Sequence, residues 1–176
     1  MPLYRFCPAC GLSLPTPTDP EGRVVVQVCP ACGAHHYQNA KPTASGLVIR
    51  DGRVLLGKRG ISPFFGHWDV PGGLLEPWEH PTDGVKRELR EETGLDVEPT
   101  ELLGVWIDTY GPGGDYTLNF YYICSASKGE PVADDDVSEL RFFSPADLPP
   151  LSEIAFENGR KALTEWLRQR AAHLPS

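Results

Sequence analysis

Three glutamates, Glu88, Glu91 and Glu92, crowd together in the stretch GGLLEPWEHPTDGVKRELREETGL at 72–95. Residues 80–93 read as a helix ended by Gly94. Carboxylates spaced i, i+3 and i+4 on such a helix repel one another, and they lie toward the negative end of its macrodipole. At about 100° per residue, with Glu88 at zero, Glu91 falls near about −60° and Glu92 near about +40°. Val85 and Leu89 fall near about +60° and +100°, Lys86 and Arg90 on the far side, and Arg87 at the edge of the acidic fan. The acids therefore border the apolar stripe, where solvent screening is weaker. Two readings compete. One is a solvated charge run with acids and bases interleaved as i,i+4 pairs. The other is a site whose repulsion is relieved by Mg2+ or Mn2+, hard cations that prefer oxygen ligands.

A second chemical signature lies at the amino terminus. Cys7-x2-Cys10 and Cys29-x2-Cys32 are separated by 18 residues, and each pair is followed by a glycine, Gly11 or Gly33. That spacing suits four thiolates around tetrahedral Zn2+, with the glycines forming the tight knuckles. About 40 residues bury too little core to fold alone, so the metal would supply the missing folding energy. A redox pair is the weaker alternative, because neither CPAC adjoins a βαβ pattern. His35 and His36 are near, but four thiolates already close a structural site. The remaining cysteine, Cys124 in the apolar run YYICSA, reads as a small buried hydrophobe.

The elements that must position these groups follow from pattern. Residues 1–40 form one unit: the cysteine pairs, a Pro/Thr-rich loop and a strand RVVVQV. Residues 41–176 form the second. PTASGLVIR and RVLLGKR flank Asp51-Gly52, a hairpin signal. GHWDVPGG is a short strand ending in a glycine turn, and ELLGVWIDTY, DYTLNFYYICSA and SELRFFS are further strands. A single turn at PADLP follows, with Ser144 as cap. Phe156, Leu163, Trp166, Leu167 and Leu174 recur at helical spacing and predict a carboxy-terminal amphipathic helix packed on the sheet. Strands with separated helices imply an α/β sandwich.

Bulk properties restrict the function. The net charge of −8, from 24 acidic and 16 basic residues, disfavours a surface built to neutralise phosphate backbones, so nucleic acid is not the expected partner. An acidic chain can still take an anionic small molecule if divalent cations bridge the two. No apolar run is long enough to span a bilayer, and MPLYRFCPAC lacks the pattern of a signal peptide. Paired cysteines in an odd total point to metal rather than disulfides, and a cytoplasmic location is expected.

Gly73, five residues, Glu79, seven residues, Arg87-Glu88-Leu89, one residue, Glu91-Glu92, one residue, Gly94-Leu95: this series resembles the Nudix box at every fixed position. The resemblance implies an α/β/α sandwich in which a loop–helix–loop holds divalent cations against a substrate diphosphate. It assigns Glu88, Glu91 and Glu92 as metal-binding glutamates and Gly73 as the turn that approaches the metal site. Glu79 and Arg87 match a pair that braces the loop against the helix. One departure is Trp78, where relatives often carry glycine. Beyond the box, Glu139 occupies the place of an additional acid in many relatives, though an ordinary strand-end glutamate reads equally well there.

The implied reaction is hydrolysis of a nucleoside diphosphate linked to a second moiety. Zinc ribbons accompany two such groups. The NADH pyrophosphatase branch carries a Ser-Gln-Pro-Trp-Pro-Phe-Pro segment that is missing here. The residues EIAF at 153–156 resemble instead the ADP-ribose and FAD pyrophosphatases, which implies one of those substrates and release of AMP. Trp78, Phe64, Phe65, Trp68, Tyr110, Tyr116 and Phe120 are the aromatics that could stack on a base. A catalytically idle binding module, its ribbon contacting RNA or protein, is the reading from another class. The ribbon has few basic residues and reads as structural or dimerising, so a homodimer is a further expectation.

Overall fold

Alternation along three central strands sends apolar side chains to both faces of one sheet. In β3 (Lys41–Arg50), Leu47 enters one buried cluster while Ala44 and Val48 enter another. In β4 (Arg53–Arg59), Val54 and Leu56 join the first and Leu55 the second. In β8 (Tyr116–Ala126), Tyr121 joins the first and Tyr122 and Cys124 the second. Each face is closed by one helix. Val85 and Leu89 of α1 (Pro81–Thr93) seal the second cluster, and Ala162, Leu163 and Trp166 of α2 (Glu157–Ala172) seal the first. The result is the expected α/β/α sandwich.

This computed structural model describes residues 4–15, 26–126 and 129–172, which fall into two units, Met1–Ala40 and Lys41–Ser176. In the first, β1 (Val26–Val28) pairs antiparallel with β2 (His35–Tyr37). Residues 23–25 of the predicted strand, most of the Pro/Thr-rich loop and Leu174 lie outside the described residues.

In the second unit the sheet order is β5-β4-β3-β8-β7, with β5 at Trp68–Asp69 and β7 at Val97–Thr109. Among the described residues, only the β3–β8 strand pair is parallel. The β3–β4 hairpin turns through Asp51 and Gly52 at φ 50° and 70°, as a two-residue loop of that type requires. β3 and β4 pair only beside that turn, at Ile49↔Val54 and Arg50↔Arg53. Beyond it β6 (Gly72–Leu74) fills the flank of β3, and β9 (Val137–Phe143) pairs with β4. The residues after Ser144 form a turn, and a 3-10 turn at Leu151–Glu153 then leads into α2.

Helix α1 can approach β3 because residue 46 has no side chain. A Cβ at Gly46 would lie 2.9 Å from Leu89 Cδ2 and 3.0 Å from both Val85 Cγ2 and Cys124 Sγ. Gly46→Ala is therefore expected to push α1 away from the sheet and lower stability by about 1–3 kcal/mol. Denaturant unfolding measures it. Unchanged stability would show that the helix has room to shift.

Candidate active site

His80 caps α1 by accepting from Thr82 N at 3.3 Å, Pro81 opens the first turn, and Gly94 ends the helix at φ 68°. So anchored, the helix carries its acids toward β6. Gly72 N donates to Glu92 Oε2 at 2.8 Å. Gly72 has φ 147°, and a Cβ there would lie 2.3 Å from Ala44 O. A Cβ at Gly73 would lie 2.5 Å from Glu88 Oε2. A side chain at Gly72 would collide with the β3 backbone, and one at Gly73 would displace the Glu88 carboxylate from the turn.

Arg87 binds the fan from its edge. Its Nε and Nη2 clasp Glu79 at 2.9 and 2.8 Å, and Nη2 also reaches Leu74 O at 3.1 Å. Nη1 donates to Glu88 at 2.8 Å and to Glu91 at 3.0 Å. The guanidinium holds the Glu79 carboxyl below its usual range, and its partners raise Arg87 in turn. Glu91 is thus half exposed in an i,i+4 pair, as the charge-run reading expected, whereas Glu88 and Glu92 face inward.

A cavity opens over the Gly72–Gly73 turn. Glu88, Glu92, Asp69, Asp135 and Asp136 line it, as do Arg59, Tyr110, Phe156 and Asn158. Thr43, Ser45, Thr117, Asn119 and Tyr121 contribute polar groups from β3 and β8. Burial lifts Glu92 well above the ordinary carboxylate range, with Asp136 adding repulsion and the Gly72 N–H opposing it. Burial likewise raises Glu88 against the pull of Arg87. Asp69 is pushed up to about 7 by burial, although Arg59 lies 3.4 Å away.

This donor set fits a hard divalent cation: all oxygen, with Glu92 buried and more acids than bases around it. Among the described residues, however, only the four cysteines bring three or more ligand atoms within 4.8 Å of one another. Glu88, Glu91 and Glu92 do not form such a group; Arg87 Nη1 bridges Glu88 and Glu91, while Glu92 is held by Gly72 N.

Glu139 stands 3.6 Å from Lys58 on β9, half exposed, and does not line the cavity. Asp135 and Asp136, just before that strand, do. The ADDD run at 133–136 was the signal for them, as the aspartate of GHWDVPGG was for Asp69. Arg59 and Asn158 carried no signal at all. Of the aromatics, Tyr110 stacks on Phe156 at 5.6 Å, with Phe64 edge-on to Phe156 at 5.1 Å and Arg59 over its ring at 5.0 Å. Trp68 belongs to the core, and Phe120 packs against the α1-side cluster. Trp78, Phe65 and Tyr116 are exposed.

In the first unit Cys7 and Cys32 have sulfurs 3.7 Å apart, and Cys10 and Cys29 3.6 Å apart. Four sulfurs about 2.3 Å from one tetrahedral ion would be separated by about 3.8 Å, so the cluster fits such an ion. Each knuckle closes through its glycine: Gly11 N donates to Cys7 O at 2.8 Å, and Gly33 N to Cys29 O at 2.9 Å. His36 Nε2 lies 3.3 Å from Cys7 Sγ. Cys124 is buried, its thiol pushed up to about 12 by burial, and is chemically quiet.

The Asp69 carboxyl yields a pH prediction. Its folded value of about 7 exceeds its ordinary 3.8, so the folded state binds this proton more tightly than the unfolded state. The stability it contributes is present below pH 3.8 and lost as pH rises to about 7. Unfolding free energies without added divalent cation should show wild type losing stability relative to Asp69→Asn across that window. A difference independent of pH would contradict the shift.

Comparison with known proteins agrees with this geometry. The NUDIX domain family matches residues 40–167. ADP-ribose pyrophosphatase of Methanocaldococcus jannaschii is 33% identical over 132 residues, 75% of this chain and 76% of that protein. NAD-capped RNA hydrolase NudC of Stutzerimonas stutzeri is 31% identical over 84% of this chain and 51% of that protein. The chain thus spans about half the length of the NudC relatives it matches. A crystal structure of a NUDIX hydrolase from Nitrosomonas europaea superposes with a TM-score of 0.80 at 26% identity, over 98% of this chain and 96% of that one. A sandwich of this topology, a glycine turn gripping a glutamate-bearing helix, and a family match over most of the length make the chain a member of the Nudix hydrolase family.

Proposed function

We propose that the chain hydrolyses the diphosphate linkage of an adenosine-containing nucleoside diphosphate derivative, ADP-ribose or FAD, and releases AMP. The observation that carries this reading is the polarity of one cavity: buried carboxylates at the glycine turn, and Tyr110 stacked on Phe156 elsewhere in its lining. The name of the M. jannaschii relative, ADP-ribose pyrophosphatase, favours ADP-ribose of the two. Phe156, the last residue of EIAF, lines the cavity directly and gives that motif a physical role.

Glu88, Glu91 and Glu92 would hold Mg2+ or Mn2+, joined by Asp136, whose charge acts on Glu92, rather than by Glu139. Bound cations supply charge neutralisation at the bridging phosphates and a more acidic water. The chain orients the acids through Arg87 and Gly72 N–H. An oxygen of Glu88 or Glu92 left free by the cation would be placed to accept the proton of the attacking water. Glu79 and Gly73 act by positioning: one anchors Arg87, the other leaves room for Glu88.

A second reading, cleavage of NADH or of an NAD cap on RNA, is favoured by the NudC relatives, whose 84% match is too long to lie within Lys41–Ser176 alone. The charge of −8 weighs against RNA as the larger partner.

The test is kcat/KM for ADP-ribose, FAD, NADH and dATP with Mg2+. Either of the first two is expected to lead. A preference of tenfold or more, about 1.4 kcal/mol, for NADH or dATP over both would overturn the substrate while leaving the reaction class intact. Glu92→Gln and Glu88→Gln should each lower kcat by roughly a hundredfold or more, since an amide replaces neither a ligand nor a base. Near-full activity in both would remove these residues from the site.

For the amino-terminal unit we propose one structural Zn2+ on Cys7, Cys10, Cys29 and Cys32. Elemental analysis of unchelated protein should find one zinc per chain, and Cys29→Ser should lose it with much of the hydrolase unit still folded. Protein purified without chelators but free of zinc would defeat the assignment.

A further inference from the structure

Asn119 is 4% exposed, and both ends of its carboxamide are engaged. Nδ2 donates to Trp106 O at 3.0 Å, Thr117 O at 3.2 Å and Thr117 Oγ1 at 3.0 Å. Two of those partners are backbone carbonyls, which only accept, so the nitrogen must face them and the oxygen must face away. Oδ1 lies 2.7 Å from Thr43 Oγ1. An amide oxygen also only accepts, so the Thr43 hydroxyl commits its single hydrogen to Asn119. Toward the cavity Thr43 can then offer lone pairs alone. Thr117 is the reverse: its oxygen already accepts from Nδ2, and its own hydrogen remains for a ligand.

Both threonines line the cavity, and both are buried at 9% and 4% exposure. Thr43 pairs in register with Asn119, and Ser45, two residues along β3, pairs with Gly72. An acceptor and a donor of fixed polarity therefore bracket one carboxamide close to the turn that grips Glu92. Ionised phosphate oxygens carry no hydrogen for Thr43, so this pair is not a further phosphate subsite. A vicinal diol is its complement: one hydroxyl gives its hydrogen to Thr43, and the neighbouring oxygen takes one from Thr117.

We propose that Thr43 and Thr117, polarised by Asn119, read the cis-diol of a ribose attached to the substrate diphosphate, Thr117 donating to its 2-oxygen and Thr43 accepting from its 3-hydroxyl. This rests on the diphosphate-hydrolase reading and adds a requirement for the ribo configuration. ADP-ribose carries such a diol on the adenosine side and another on the distal sugar, so two analogues separate the sources.

The experiment is calorimetric titration of the full chain with ADP-ribose, with its adenosine-side 2′-deoxy analogue and with its distal 2-deoxyribose analogue, using Ca2+ in place of Mg2+. One analogue should bind wild type at least tenfold more weakly than ADP-ribose, which identifies the diol that is read. Thr117→Val keeps the β-branched shape and leaves Asn119 Nδ2 two carbonyl acceptors. It should weaken ADP-ribose about tenfold and that analogue hardly at all, and Thr117→Ser should restore the discrimination. Equal binding of all three compounds to wild type, equal weakening of all three by Thr117→Val, or no binding of any would overturn the proposal. Release of AMP with Mg2+ is scored separately, so hydrolysis without diol selectivity sinks this inference and spares the reaction class.

Discussion

The Arg87 guanidinium is the tie on which the hydrolase unit's chemistry depends. Its fork reaches Glu79, Glu88, Glu91 and the Leu74 carbonyl together, which a lysine ammonium on a flexible stem could not reproduce. Through Glu79 and Leu74 it binds the loop after β6 to α1. Through Glu88 it holds an acid against Gly73. One positive charge facing three carboxylates leaves the cluster negative, and Glu92 and Asp136 deepen the deficit. That surplus is what a bound cation would offset.

The sheet gives this tie something to act against. α1 covers one face and α2 the other, so residues reach the cavity from both layers of the sandwich. α1 brings the acids. The chain entering α2 brings Phe156 to Tyr110, with Ile154 and Ala155 fully buried beneath as the fixed base of that approach. Arg59, its side chain only 11% exposed, is held by Pro63 O at 2.7 Å and lies over the Phe156 ring.

Much of this was legible in the sequence because it is local. The α1 limits, the Asp51-Gly52 hairpin and the order of acids around the helix follow from spacing within a few residues. Spacing placed Arg87 at the rim of the fan and the box resemblance paired it with Glu79, but its reach to Glu88 and Glu91 was not legible, since a helical wheel locates a Cα and not the span of a guanidinium. The acid outside the box was sought at Glu139, the place of an additional acid in many relatives, with an ordinary strand-end glutamate as the alternative. Yet the residues that come to line the cavity are Asp135 and Asp136, in the loop before that strand, where Asp135 adopts φ 53°. Asn119 was invisible for a deeper reason: its partners Thr43 and Trp106 become neighbours only when β8 settles between β3 and β7. Pairing of that kind leaves no periodic trace.

The two candidate metal sites differ in a way their donors explain. Four thiolates converge before any ion is placed, because each sits on a short knuckle closed by its own backbone hydrogen bonds. A site of that kind is complete, with no open position for a substrate, and suits a tetrahedral structural ion. The carboxylates of the hydrolase unit do not converge. A small hard cation keeps several waters and takes only one or two carboxylates beside substrate phosphates, so a fully gathered cage would exclude the ligand it must meet. Glu92 fixed by Gly72 N–H, and Glu88 and Glu91 bridged by Arg87, form a looser arrangement of the kind that would leave a cation room for water and substrate phosphates.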